Sequence, residues 1–435
     1  MSAPRNAGAP DPWTDRQIRN LKALLELSKA IAGEIRLEAL LPIIMQKTTE
    51  ILEADRSTLF LYDVDSDELW STVAQGLESR EIRFSASKGL AGYVARTRET
   101  VNIREAYADP RFNPNVDRET AYQTESILCM PVVNNRGELT GVFQVLNKRE
   151  HGGFDKDDEE LLDALVAHVC VALERALLVE VYAEQQRFRE SLRVAREIQQ
   201  SMLPSVMSDR LAKWPVEVSA RMVPAAEVGG DFYDYIMAGE DSLAFSIGDV
   251  SGKGVPAALL MAVSRSVLRS LMRAGLPPDE CLQQANALLR PECPRSMFVT
   301  ALVGQLNLRT GELVYSVAGH LPPFLLPSEG TPQLLERTGG IGLCLLQDFR
   351  YVSRRISLHR GEGIFLYTDG LTEAVNRSGE MFGQEGVAGC LAQVTGASAA
   401  HIIQHVHEAV ATFSAGADPR DDVTTLTVSR RESNG

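Results

Sequence analysis

The sequence predicts an α+β protein of several domains, and three observations carry that reading. At 435 residues the chain is too long for one ordinary core. Its opening part mixes amphipathic helices with hairpin-like strand pairs. Its closing part, set off by a long stretch poor in helix breakers, holds more strands than helices and no regular β-α-β alternation. The expected architecture is a helix-flanked α+β sandwich, a long helical linker with coiled-coil character, and a second, layered α/β sandwich.

Residues 1–13, "MSAPRNAGAPDPW", have Pro, Gly and Ala but no apolar h-region, and read as a disordered lead rather than a signal peptide. The first domain is expected over 14–156. It opens with "TDRQIRNLKALLELSKAIAGE", where Leu21, Leu24, Leu25 and Ile31 are expected on one face and Thr14 as the N-cap. A second helix follows in "LEALLPIIMQKTTEILEA". Next, "RSTLFLYDVDSDELWSTVAQG" reads as two strands about a polar turn. "ESILCMPVVNNRGELTGVFQVLNKR" reads as a hairpin turning at Asn135-Arg136-Gly137.

Residues 157–204 form the expected linker. Leu161, Leu165, Val169, Ala172, Ala176, Val179 and Ala183, then Phe188, Leu192, Ala195, Ile198 and Met202, recur at steps of three and four. That spacing predicts a long helix with a parallel dimer seam, hence a homodimer. The last domain, 215–431, alternates strand-like runs ("SLAFSIGDV", "FVTALVGQLNL", "LVYSVAG", "GIFLYTDG", "VTTLTVS") with helical ones ("PAALLMAVSRSVLRSLMRA", "DECLQQANALL", "SAAHIIQHVHEAVATF").

The composition removes some function classes. The net charge is −14 and no Lys/Arg block occurs, which argues against a nucleic-acid partner. No run of 18 apolar residues suggests a membrane span. The six cysteines form no C-x-x-C pair and no zinc spacing, as expected for a reducing, cytoplasmic compartment.

The chemistry lies at strand ends. In "VGGDFYDY" two glycines run into Asp231. In "SLAFSIGDVSGKG" Leu243, Phe245 and Ile247 alternate along a strand that delivers Asp249. In "IFLYTDG" a buried strand ends at Asp369-Gly370, and in "DPRDDVTTLTVS" Asp421 and Asp422 stand at a strand entrance. A single strand-end Asp is usually a turn former. Several in one domain, without basic neighbours in sequence, point to a shared site for a hard cation, Mg2+ or Mn2+. A pair of such ions activates water and neutralises a phosphoryl group, which is the chemistry of phosphoester hydrolysis. "GGDF" carries one acid where a diguanylate-cyclase loop carries two. "GDVSGKG" has neither the spacing nor the Ser/Thr of a phosphate loop, although Lys253 could still hold phosphate.

"VPAAEVGGDFYDY", "GDVSGKGVPAALLMA", "AGHLPPFLL", "LYTDGLTEA" and "DDVTTLTV", in that order, resemble the blocks of SpoIIE-type (RsbU-like) members of the PPM metal-dependent protein phosphatases. The resemblance implies a PPM-type α-β-β-α sandwich, a binuclear Mn2+ or Mg2+ centre and dephosphorylation of phosphoserine or phosphothreonine on a protein, such as an anti-sigma-factor antagonist. It makes Asp231, Asp249, Asp369 and Asp421 the catalytic ligand set. The Val250 carbonyl joins it, and Asp422 is a further candidate ligand. Members that carry Asp-Gly-His use that His as a candidate general acid. Here the run is Asp249-Val250-Ser251, and His320 is the nearest substitute, in a Gly/Pro turn that favours a structural role.

The first domain resembles a GAF domain through "ADRSTLFLYD", "GLAGYVARTRETVNI", "SILCMPV" and "GELTGVFQVLNK". Asn147, Lys148, Phe154, Asp158 and Glu159 match the N-K…F-x-x-x-D-E pattern of cyclic-nucleotide-binding members, which implies a cAMP or cGMP site that these residues support. The local alternative is helix capping by Asp155 ahead of an acidic first turn. Together these resemblances imply a GAF-regulated serine/threonine phosphatase. The other reading is a catalytically silent, ligand-dependent scaffold.

Overall fold

The computed structural model describes residues 12–71, 82–149, 152–204, 211–415, 417 and 420–431. The lead expected to be disordered, 1–13, lies outside them except for Pro12 and Trp13, which are instead the first residues of a helix. The chain divides into two compact units, residues 1–187 and 188–435.

In the first unit, α1 (Pro12–Ala32) and α2 (Leu37–Ile51) precede β1 (Ala54–Asp63) and β2 (Glu68–Ser71). Then come β3 (Ile82–Ser85), α3 (Gly89–Thr97), β4 (Val101–Ile103), α4 (Asn115–Thr120), β5 (Ile127–Val133) and β6 (Leu139–Lys148), and α5 (Lys156–Met202) follows. The six strands form one antiparallel sheet, ordered β3-β2-β1-β6-β5-β4. Strand alternation sorts the two cores. Leu59, Leu61, Met130, Phe143 and Val145 pack against α1, α2 and the first half of α5. Phe60, Leu69, Cys129 and Val142 pack against α3 on the other face.

The turns follow from side-chain chemistry. Asp63 Oδ1 accepts the Asp65 and Ser66 amides at 3.1 and 3.3 Å. Asn134 Oδ1 accepts those of Arg136 and Glu138 at 3.0 and 2.9 Å, and Gly137 takes the left-handed φ of +79° that closes the hairpin.

Two expectations about α1 are corrected. The helix begins at Pro12, so Thr14 lies inside it. Its buried residues are Leu27 and Ile31, whereas Leu21 and Leu25 are exposed. Leu-rich runs satisfy several helical faces at once, and the tertiary partner selects one. The long helix appears as expected. In its first half Leu162, Leu165, Val169 and Leu173 are buried, while further along Leu178, Val181, Tyr182 and Phe188 stand exposed.

The second unit holds the end of α5, then β7 (Val216–Val223), β8 (Phe232–Met237), β9 (Ser242–Val250), α6 (Val255–Arg273) and α7 (Pro278–Leu289). It continues with β10 (Val299–Asn307), β11 (Glu312–Ala318), β12 (Phe324–Leu326), β13 (Gln333–Leu334), β14 (Ser353–Ser357) and β15 (Gly363–Tyr367). Last come α8 (Asp369–Thr372), α9 (Gly383–Gln393), α10 (Ala399–Phe413) and β16 (Val423–Arg430).

Two five-stranded antiparallel sheets form, β14-β11-β10-β9-β8 and β13-β12-β15-β16-β7. Between them Leu243, Phe245, Ile247, Leu302 and Tyr315 meet Ile364, Leu366, Leu426 and Val428. Helices α6 and α7 cover the outer face of the first sheet, and α9 and α10 that of the second. The layers are therefore α-β-β-α. Among the described helices α6 alone has the length and apolarity of a membrane span. Its Ala257, Met261, Leu268 and Met272 are buried against the sheet, as in a core helix.

Candidate functional site

Strands β8, β9, β15 and β16 end on one rim of the sandwich and deliver the acidic residues. Asp231 stands just before β8, Asp249 is the penultimate residue of β9, Asp369 opens α8 after β15, and Asp421 and Asp422 lie just before β16.

The two glycines of "VGGD" are required by close approach rather than by unusual φ. A Cβ on Gly229 would fall 1.8 Å from Asp422 Oδ2, and one on Gly230 would fall 2.7 Å from the Val250 carbonyl oxygen and 3.2 Å from Asp249 Oδ1. Gly370 is equally confined, its Cβ position lying 2.0 Å from the Asp422 carbonyl oxygen.

Each carboxylate has its own surroundings. Asp231 is 2% exposed, and its Oδ2 accepts the Thr368 hydroxyl at 2.7 Å. Burial and then the charge of Asp249 hold its pKa well above the usual carboxylate range. Asp249 is pushed up to about 7, first by burial and then by Asp369 and Asp421. Asp369 is raised by burial, then by Glu373 and Asp421. Carboxylates raised by one another form a pocket of uncompensated negative charge. Lys253 pairs with the cluster: its Nζ lies 3.2 Å from Asp421 Oδ2 and also donates to the Arg420 carbonyl. That pair is well exposed to solvent, which weakens it.

An all-oxygen donor set of this charge fits Mg2+ or Mn2+ in kind. In spacing it is open: among the described residues no three His, Cys, Asp or Glu side chains gather closely enough to hold one ion.

Asp422, expected in the metal set, has a different occupation. Its Oδ1 accepts the Ala225 amide at 2.8 Å and its Oδ2 the Gly230 amide at 3.0 Å. Both oxygens are committed to backbone donors, so Asp422 clamps the loop that presents Asp231. His320 is 6% exposed, pairs through Nδ1 with Thr300 Oγ1 at 2.9 Å, and is driven by burial down to about 4. It is neutral near pH 7 and does not supply a general acid.

Three contributors escaped the sequence reading. Thr368 Oγ1 holds Asp231 and accepts the Thr424 amide at 3.0 Å. Gln199, near the end of α5, makes a reciprocal pair with Gly229, donating from Nε2 to its carbonyl at 2.7 Å and accepting its amide at 3.2 Å. Asp234 is fully buried and bonds Arg265 at 3.0 Å and Arg269, tying β8 to α6. Only the "YTDG" turn hinted at Thr368; the partners of the others are remote in sequence.

In the first unit four of the five residues expected to support a ligand site, Lys148, Phe154, Asp158 and Glu159, tie the start of α5 to the sheet. Lys148 Nζ bonds Asp158 Oδ1 at 3.0 Å and the Leu52 carbonyl at 2.9 Å. Asp158 Oδ2 accepts the Asp155 amide at 3.0 Å and Asp155 Oδ1 accepts the Asp158 amide at 2.8 Å, the reciprocal cap of α5. Glu159 accepts Asn102 Nδ2 at 2.7 Å, and Phe154 is buried in the core with α1 and α2.

None of the five lines the cavity of about 310 Å3 on the opposite face of the sheet, bounded by Arg56, Phe60, Phe84, Lys88, Phe112 and Tyr122 among others. Asn147 comes nearest in effect. Its Oδ1 accepts the Glu125 amide at 2.7 Å and its Nδ2 donates to the Gln123 carbonyl at 2.8 Å, which fixes the segment carrying Tyr122 and Thr124. Among the described residues the Tyr122 hydroxyl is buried without a hydrogen-bond partner, and the Arg56 guanidinium lies 3.8 Å from the centre of the Tyr122 ring.

Residues 36–173 match the GAF domain model and residues 239–431 the model of the stage II sporulation protein E (SpoIIE) family. The chain carries a GAF domain followed by a SpoIIE-type phosphatase domain. It is 35% identical over 187 residues to the dual 3',5'-cyclic-AMP and -GMP phosphodiesterase 11A of Takifugu rubripes, covering 40% of this chain and 21% of that protein. It is 29% identical over 195 residues to the phosphoserine phosphatase RsbU of Bacillus subtilis, covering 45% of this chain and 57% of that protein. Among solved structures, the RsbU and RsbW domains of a Mycobacterium tuberculosis protein align at 30% identity and a TM-score of 0.45, covering 51% of this chain and 61% of that one. The chain thus spans between 21% and 57% of the length of these two curated relatives.

Proposed function

We propose that this chain is a metal-dependent protein serine/threonine phosphatase whose activity answers to a small molecule in its GAF domain. The observation that carries the proposal is the cluster of Asp231, Asp249, Asp369 and Asp421 at one rim, with three of them raised in pKa by burial and by one another. Such a cluster favours a divalent cation as its counter-charge. The four carboxylates and the Val250 carbonyl would hold two ions, Mn2+ or Mg2+. When bound, these supply an activated water and neutralise the phosphoryl oxygens. Thr368 orients Asp231, Asp422 fixes the loop before it, and Lys253 is in reach to pair with a phosphoryl oxygen. The buried, neutral His320 leaves protonation of the leaving alkoxide to water.

The substrate would be a phosphoserine or phosphothreonine protein, in line with the RsbU relative, and an anti-sigma-factor antagonist is the specific expectation. For the GAF cavity the phosphodiesterase relative favours cAMP or cGMP. The aromatic walls and Arg56 suit a base and a phosphate, and about 310 Å3 lies at the small end of ligand sites. The Gln199–Gly229 pair offers a route by which α5 biases the Asp231 loop. The exposed Leu178, Val181, Tyr182 and Phe188 recur at helical spacing and suit the α5 of a second copy. Six free, buried cysteines fit a reducing cytoplasm.

Hydrolysis of p-nitrophenyl phosphate by the full chain, with Mn2+, Mg2+ or chelator and with or without cAMP and cGMP, tests this reading. Metal-dependent turnover that changes at least severalfold with one nucleotide is the expected result. Metal-independent turnover would refute the metal centre, and indifference to both nucleotides would refute the cyclic-nucleotide assignment.

A further inference from the structure

A second cavity, of about 430 Å3, opens beside the carboxylate cluster and shares Gly370 and Asp421 with it. Its apolar surface comes from Val223 of β7, Val375 after α8, and Val410 and Ala411 of α10. Its charged lining is Arg221 and Arg420 with Glu373, Glu408 and Asp421. The Ser414 hydroxyl lines it and, among the described residues, is buried without a hydrogen-bond partner. An unsatisfied buried hydroxyl is costly and gains from a ligand that bonds to it.

We propose that this cleft receives the polypeptide flanking the phosphoserine of a protein substrate and takes an apolar side chain next to the phosphorylated residue. The inference rests on the phosphatase reading and deepens it. Continuity argues for this occupant. A phosphoester held near Asp421 brings its own chain to the shared rim at Gly370 and Asp421, where the cleft begins. The contents suit a peptide: an apolar floor for one side chain, a free hydroxyl for a backbone amide or carbonyl, and charges of both signs for flanking polar groups. A small aryl phosphate does not extend into the cleft.

The test uses the full chain and fluorescent phosphoserine peptides, with a single Leu walked through the two positions on either side of phosphoserine in an Ala background. Binding is read by anisotropy and turnover by phosphate release. Ala411→Trp, at an exposed position of α10, fills the cleft; p-nitrophenyl phosphate hydrolysis reports that the variant is folded, and Ala411→Phe repeats the test with a smaller ring.

One Leu position is expected to bind about tenfold tighter than the all-Ala peptide, as burial of an apolar side chain implies. Both variants should erase that gain and leave aryl phosphate turnover within about twofold. Equal binding of all peptides, or an undiminished Leu preference in both variants, would overturn the proposal. A Leu preference erased by the variants without any turnover would sustain the cleft and refute the phosphatase reading.

Discussion

Replacing Thr368 by Val keeps the shape of a fully buried side chain and removes one oxygen. That oxygen donates to Asp231 Oδ2 at 2.7 Å and accepts the Thr424 amide at 3.0 Å. In the metal-free protein Asp231 is held toward its protonated form by burial and by Asp249, so the first bond is close to a neutral one. Each lost bond then costs about 1 kcal/mol, or about 2 kcal/mol together. For a unit of this size that lowers Tm by roughly 4–8 °C. The effect on a bound cation is larger in proportion, because an orienting partner of a ligand typically contributes about 10–100-fold to metal affinity. The assay is calorimetry of Mn2+ binding alongside thermal unfolding, in which the transition that Mn2+ raises identifies the phosphatase unit. Thr368→Ser restores the hydroxyl and is expected within about threefold of wild type in Mn2+ affinity. A Val variant that binds Mn2+ like wild type would refute the claim that Thr368 orients Asp231.

Gly229→Ala places a Cβ 1.8 Å from Asp422 Oδ2, so the Asp231 loop must shift, and calorimetry should show Mn2+ affinity reduced about tenfold or more; unchanged affinity would contradict the close-approach argument. Burial depresses the pKa of both His320 and His407 to about 4, so the stability they contribute is complete above about pH 6.5 and is lost as pH falls toward 4. At pH 5 each withholds about 2 kcal/mol, while the raised carboxylates of Asp231, Asp249 and Asp369 gain stability as pH falls, so in denaturant titrations the change from pH 7.5 to 5 should be about 2 kcal/mol less unfavourable in His407→Gln than in wild type, and an equal change in both would contradict it. Lys148→Met breaks a largely buried pair with Asp158 and should cost up to about 3 kcal/mol in GAF-unit stability, yet leave cyclic-nucleotide affinity within about threefold. Arg56→Ala, at the cavity wall, should weaken nucleotide binding about tenfold; the reverse pattern would make the Lys148 strut the ligand site.

The rim of carboxylates was legible because each one sits beside a period-two apolar strand and a glycine, both of which are local signals. Leu243, Phe245 and Ile247 mark β9 in the sequence and are buried between the sheets in the structure. The excess of strands over helices pointed to a layered sandwich, and the α-β-β-α order came from the family resemblance. The devices that hold the carboxylates had no local mark. Thr368 reaches Asp231 across 137 residues, Asp422 reaches Gly230 across 192, and Gln199 reaches Gly229 across 30. Nothing local marks the role of the glycines in "VGGD", which is to admit the Asp422 carboxylate and the Val250 carbonyl. In α1 the Leu-rich pattern fitted more than one face, and packing against α2 and the sheet chose Leu27 and Ile31. The N-K…F…D-E pattern located a real network: Lys148, Phe154, Asp158 and Glu159 lie away from the cavity, and Asn147 holds the segment that carries its Tyr122 and Thr124.

The central claim is that the Asp231, Asp249, Asp369 and Asp421 cluster holds the cations that hydrolyse a phosphoserine ester. The most direct test is release of inorganic phosphate from a phosphoserine peptide by the Mn2+-loaded full chain, wild type against Asp249→Ala. The account predicts release that chelator abolishes and that Asp249→Ala reduces to background. Release of the same size in the Asp249→Ala protein, or none from wild type with Mn2+ bound, would contradict it.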